Sequence, residues 1–302
     1  MPDLHPLAGV YAAAVTPLKP DSSMDFESLP VLMDFLASRG CHGALFFGTT
    51  GEGPSFSPSE REALLRAAGA IRKDVPGFRL LAGTGTPSLD ETIALTKLAF
   101  DLGCDGVVVL PPYYFRNATD DGLFKWFSGL IQKAVPADGF LLGYHFPGVA
   151  GIGFSLDLLS RLKDSFPNQF AGIKDSSHDE SFIVELGKRF GSELAVFNGT
   201  DSHFHMALQN HASGAITAPA NILSPGLREI WDLYQSGRDP SEAQARLGEQ
   251  RHILEKYPPF PPILKALMNR KFNFPRWTVK PPLVEALPQT ADQALDELGE
   301  IR

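Results

Sequence analysis

Cysteine is scarce in this chain, with Cys41 and Cys104 the only two among 302 residues. That is too few for a disulfide framework or a thiolate zinc site. Each precedes a strand-like apolar run, in "RGCHGALFF" and "LGCDGVVVL", where a buried free thiol is expected and a reducing, cytoplasmic location fits. Positive charge is also in deficit: 27 Lys and Arg face 35 Asp and Glu, a formal charge of −8. This argues against a nucleic-acid or anionic-membrane partner. No apolar run reaches the roughly 18 residues of a membrane-spanning helix. The start, Met1 to Pro6, is neither basic nor apolar, so no secretory signal is expected. The G-x-S-x-G, P-loop and G-x-G-x-x-G motifs are missing. What remains is an ordinary globular composition, 43% hydrophobic and 21% charged, long enough to bury a large core.

Short runs rich in Val, Ile, Leu, Phe and Ala recur along the chain, starting near Val10, Gly43, Arg79, Gly106, Gly139, Phe170, Leu194 and Gly214. Each is followed by an amphipathic stretch long enough for a turn and a helix, the mark of repeated βα units. Ser57, Ser88 and Ser155 stand before apolar-periodic runs with Pro or acids in the first turn, as helix N-caps do. A doubly wound sheet would carry a glycine-rich phosphate turn after its first strand; "TPLK" after Val15 is not one. The reading is α/β: a (β/α)8 TIM barrel over residues 1–235. Beyond residue 236 helical stretches near 241–256, 263–269 and 290–301 are separated by "YPPFPP" and "KPPLVEALP", which predicts a C-terminal helical extension over 236–302 with helices broken at prolines.

In such a barrel the chemistry belongs where strands end. Those ends offer Thr16, Gly48-Thr49-Thr50-Gly51, Thr84, Tyr113-Tyr114, Tyr144-His145, Lys174-Asp175, Thr200-Asp201 and Thr217. Alternation in "FAGIKD" puts Phe170, Gly172 and Lys174 on one face. A lysine amine inside a barrel mouth loses solvation, which frees neutral amine to condense with a ketone; the alternative is a rim lysine paired with a carboxylate. Gly48 and Gly51 bracket two hydroxyl residues in a turn suited to holding a carboxylate on N–H and O–H donors, or simply a capped turn. Tyr144 is a candidate proton donor or acceptor, or plain packing, and His145 should face the helices. Glu52 could cap or pair structurally and is given no catalytic part. His203 and His205 diverge on a helix, so no metal site is expected.

"GTTGEG" after the second strand, "PPYYF" after the fourth, "GYHFPG" after the fifth and "GIKDSS" at the sixth together resemble the dihydrodipicolinate synthase and N-acetylneuraminate lyase superfamily over essentially the whole chain. The resemblance implies that Lys174 forms a Schiff base with pyruvate, that Tyr144 sits over the imine, and that Thr49 and Thr50 bind the pyruvate carboxylate and relay protons. It implies further that Tyr114 is exchanged between neighbouring subunits of a homotetramer built as a dimer of dimers, and that Ile216 packs beside the pyruvyl unit. No cofactor is called for beyond the covalent lysine imine. One departure stands out. Synthases of dihydrodipicolinate carry an arginine five residues after the tyrosine, and this chain has Val149, which cannot grip a carboxylate as a guanidinium does. That points to the lyase and keto-deoxy-sugar-acid aldolase branches, whose aldehyde is read after the seventh strand, where Thr200, Asp201 and Ser202 stand, although Asp201 could equally cap the following helix. Expected activity is therefore cleavage of a 2-keto-3-deoxy sugar acid, or a related hydroxy-2-keto acid, to pyruvate and an aldehyde. A dehydratase or atypical condensing enzyme using the same imine is the alternative, and a non-catalytic keto-acid sensor the non-enzymatic one.

Overall fold

A computed structural model describes residues 4–301. Eight strands, β1 (Gly9–Ala13), β2 (Gly43–Phe46), β3 (Arg79–Gly83), β4 (Gly106–Val109), β5 (Phe140–His145), β6 (Phe170–Asp175), β7 (Ala195–Asn198) and β8 (Gly214–Thr217), pair in sequence order. β8 closes on β1 to complete a parallel barrel. Every start lies within a residue of its expected place. Helices between the strands follow from the local chemistry. Ser57 Oγ accepts from the backbone N–H of Glu60 while the Glu60 carboxylate accepts from that of Ser57, a reciprocal capping box opening Pro58–Ile71. Ser88 and Ser155 cap Leu89–Asp101 and Leu156–Ser165 in the simpler way.

Two apolar shells hold the barrel. The outer one lies between strands and helices and includes both cysteines. Burial pushes each thiol up to about 12, which makes them inert packing rather than chemistry. The inner one fills the axis with Tyr11, Leu45, Leu81, Val108, Leu142, Phe197 and Ile216, one from each strand except β6. β6 sends Lys174 inward instead, in register with Tyr144 of β5.

The alternation expected in β6 does not run through the whole strand. The register with β5 slips between Leu141 and Leu142, leaving Ala171 as the extra residue of a bulge. Phe170 therefore belongs to the outer shell with Ile173, while Ala171 packs against the inner one. Only beyond the bulge does Gly172 share its face with Lys174. A Cβ at Gly172 would stand 1.9 Å from the carbonyl oxygen of Ala195, so the bulged backbone needs glycine there.

Past Gln235 come three helices, Ser241–Leu254, Phe260–Phe272 and Pro288–Leu298. The prolines of "YPPFPP" start the middle helix rather than break it: Pro259 is its N-cap, and Pro261 and Pro262 sit in its first turn, where the missing N–H costs nothing. This is why that helix begins earlier than the sequence pattern suggests. No helix among the described residues is long and apolar enough to cross a membrane.

Candidate active site

Lys174 stands one residue from the end of β6 and is only 3% exposed. Its Nζ donates to Ser176 Oγ at 2.7 Å and lies 3.8 Å from the centroid of the Tyr144 ring. Among the described residues no carboxylate pairs with it, so the rim ion pair is not what this lysine makes. Across the ring, the Tyr144 hydroxyl is 3.4 Å from Thr49 Oγ1. Burial alone would raise the phenol's pKa. The Lys174 charge and hydrogen bonds with Lys174, Thr49 and Ser176 outweigh burial and hold it below the usual 10. A phenol so placed takes and returns protons more readily than a free tyrosine.

Thr49 and the buried Thr50 belong to a loop closed by two backbone bonds, Glu52 N–H to the Thr49 carbonyl and Gly53 N–H to that of Gly48, both 3.1 Å. The loop packs too closely for side chains at its glycines: a Cβ on Gly51 would lie 2.8 Å from the Ala14 carbonyl oxygen, and one on Gly53 2.0 Å from that of Phe47. Phe47 and Glu52, at its two shoulders, both take φ of 57°, a left-handed conformation costing a non-glycine residue about 1–2 kcal/mol. Arg61 Nη2 donates to the Gly53 carbonyl at 2.6 Å and Nη1 reaches that of Gly83 at 3.5 Å, joining this loop to the end of β3. Ile216 is fully buried in the inner shell. His145 faces the helices as expected, stacked on Phe182 at 4.4 Å, with Nδ1 accepting from Phe154 N–H.

One expected site residue lies elsewhere. Asp201 was placed among the aldehyde readers, but it is fully buried and both carboxylate oxygens are taken. Oδ1 accepts from Thr217 Oγ1 and Oδ2 from Arg251 Nη1, each at 2.7 Å. It is an anchor between the β7 loop and the helix Ser241–Leu254. Removing it in Asp201→Ala leaves the Arg251 charge buried with only Glu255, 2.8 Å away, and a loss of roughly 3–5 kcal/mol is expected. Thermal and urea denaturation would read this, and an unchanged midpoint would refute the anchoring. Tyr114 does not reach Tyr144 or Thr49 within its own chain. It is 76% exposed, edge-on to the similarly exposed Phe115, where a neighbouring copy could meet it. Its neighbour Tyr113 instead lines a cavity with Thr49, Tyr144 and Arg61.

Ser176 and His178 were missed. Ser176 shares the face of Lys174 two residues on, a period-two relation visible in "KDSS". It also requires Gly199, whose Cβ would fall 2.1 Å from Ser176 Oγ. His178 takes φ of 62°, and its Nδ1 is 3.4 Å from Thr200 Oγ1. Partial burial first, then the charges of Arg251 and His203, lower its pKa from the ordinary imidazole value. Val149 is 45% exposed. The two histidines of the H-x-H go separate ways, His203 to Glu180 at 3.3 Å and His205 against Tyr234.

The chain is similar to known proteins over nearly its whole length. The family model of the dihydrodipicolinate synthetase family matches residues 6–299. An uncharacterized DapA-like lyase of Chloroflexus aurantiacus is 36% identical over 91% of both chains. A 4-hydroxy-tetrahydrodipicolinate synthase of Prochlorococcus marinus is 33% identical over 78% of this chain and 76% of its own. Among solved structures, dihydrodipicolinate synthase of Thermotoga maritima superposes with a TM-score of 0.88 at 28% identity, covering 97% of this chain and 98% of that one. YagE, an E. coli prophage protein of the same family solved in complex with pyruvate, gives 0.87 at 25% identity over 95% and 96%. The sensor reading is set aside by a match to lyases and synthases at this extent: the chain is an enzyme, and it belongs to the dihydrodipicolinate synthetase family.

Proposed function

We propose that this enzyme is a Schiff-base aldolase that reversibly cleaves a 2-keto-3-deoxy sugar acid, or a related hydroxy-2-keto acid, to pyruvate and an aldehyde. The observation that carries the reading is a buried amine, Lys174, held between one hydroxyl and the face of a phenol whose pKa is lowered. With the substrate carboxylate on the Thr49–Thr50 turn, Lys174 Nζ adds to C2, and loss of water leaves a protonated imine. Tyr144 takes the proton of the C4 hydroxyl. The C3–C4 electron pair then flows into the iminium, giving an enamine and releasing the aldehyde. Protonation at C3 and hydrolysis of the imine return pyruvate and the free lysine. The electron sink is the iminium itself, so no cofactor takes part.

The substrate class is supported by the chemistry at the strand ends: Val149 offers nothing to a carboxylate, whereas Ser176 after β6, Thr200 after β7 and His178 beside Thr200 offer hydroxyls and an imidazole, which suit a hydroxylated chain. Tyr114 and Phe115, exposed on one chain, are offered to a second copy, in keeping with a homotetramer in which Tyr114 completes the relay of its neighbour. The test is pyruvate release from a panel of 2-keto-3-deoxy aldonic acids, followed continuously with a pyruvate-reducing coupling enzyme. Turnover of about 1 s⁻¹ or faster on at least one of them is expected; none on any would overturn the aldolase assignment.

One observation favours a condensing reaction instead. The stem of Arg116 lies against Gly151, where a Cβ would be 2.4 Å from Arg116 Cδ, which brings a guanidinium to the C-terminal end of the short helix Pro147–Ala150 that holds Val149. If a carboxylate-bearing aldehyde is the partner, Arg116→Ala should lower kcat/KM toward it by tenfold or more, on the order of 1.5–3 kcal/mol for a charged hydrogen bond, and leave hydroxylated aldehydes untouched.

A further inference from the structure

The carboxylate-binding turn is held from behind by the far end of the chain. Glu52, two residues after Thr50, is only 3% exposed and spends both carboxylate oxygens on the C-terminal extension. Oε1 accepts from Lys265 Nζ at 2.5 Å and Oε2 from the backbone N–H of Lys280 at 2.7 Å, across 213 and 228 residues of sequence. Lys265, 1% exposed on the helix Phe260–Phe272, donates also to the Thr278 carbonyl at 2.7 Å. The Lys280 ammonium pairs with Glu60 in the capping box and lies over the Phe56 ring at 4.5 Å. Every residue between Thr50 and Glu60 is thus within a few positions of a tie to the extension. The ion pair is buried, where a charge without its partner is severely disfavoured, and it fixes the one non-glycine residue whose left-handed backbone turns the chain immediately after Gly51.

We infer that Glu52 and Lys265 are positioning residues for the carboxylate turn: the extension sets the attitude of Thr49 and Thr50, and through them the affinity for the keto acid. The inference rests on the proposed imine chemistry. Neither residue touches substrate. Their effect is on where the two threonines stand, and a displacement of about 1 Å at such a donor is enough to cost around a hundredfold.

The experiment titrates pyruvate against the fraction of protein trapped by borohydride as a Lys174 adduct. It compares wild type with Lys265→Met, Lys265→Arg and Glu52→Gln, all well below their melting temperatures. Lys265→Met and Glu52→Gln should need roughly ten times more pyruvate, or beyond, for half-trapping, with the adduct still forming at saturation. Lys265→Arg, which keeps the charge, should recover most of the affinity. Leu130→Ala, destabilised in the outer shell, serves as the control for stability alone and should keep the wild-type half-trapping concentration. Should Lys265→Met not fold, Glu52→Gln carries the comparison. Equal half-trapping concentrations in folded variants and wild type would overturn the positioning role. A wild-type protein that traps no pyruvate would instead remove the chemistry on which it rests.

Discussion

Lys174→Ala should abolish turnover, a fall of about 10⁵-fold or more, since an oriented nucleophile commonly supplies effective molarities of that size. The change removes a buried amine and its bond to Ser176, and among the described residues no other lysine stands against the Tyr144 ring. Lys174→Arg separates the two parts the lysine could play. Arginine keeps a positive charge beside Tyr144 but stays protonated and cannot form an imine, so it should be as inactive as alanine. Activity in the arginine variant would show that the site needs a charge and not a nucleophile. Far-ultraviolet circular dichroism and melting curves of both variants check that the barrel is intact.

Tyr144→Phe should lower kcat by about 10²–10⁴-fold, the usual contribution of a positioned acid–base group, while much of the pyruvate adduct still forms. The ring that packs against Lys174 and Phe146 is retained, so the loss reports the hydroxyl alone. The direction of the pH dependence is fixed by the shifted phenol. Its pKa lies below 10 because the Lys174 charge and three hydrogen bonds outweigh burial. The acceptor form, the phenolate, therefore grows in as pH rises through a value below 10. Wild-type kcat should climb along that limb, and Tyr144→Phe should lack it. Should the limb persist in the variant, another group is the base.

The barrel was legible because its cues are local. Apolar runs, serine caps and the spacing between them each report on a few neighbouring residues, and all eight strands begin where those cues put them. The shared face of Gly172 and Lys174 followed from the alternation, which did not say that this face turns inward, and the bulge at Ala171 takes Phe170 off it. What could not be read was long-range. Asp201 looks like a free carboxylate at a strand end, and only the fold brings Arg251, 50 residues away, onto it. Glu52 could be read as a capping or pairing acid, but nothing local says that its partner is Lys265, 213 residues away. Tyr113 and Tyr114 are adjacent in sequence yet go to opposite fates, one into the cavity and one to solvent, because the chain turns between them. Ser176, by contrast, was available to the alternation that found Lys174 and was passed over.

The central claim is that one amine in the barrel mouth condenses with a 2-keto acid. Borohydride reduction in saturating pyruvate, followed by intact mass and peptide mapping, addresses it directly. The account predicts a gain of one reduced pyruvyl group per chain, carried on Lys174. A protein of unchanged mass, or a label on some other lysine, would contradict it.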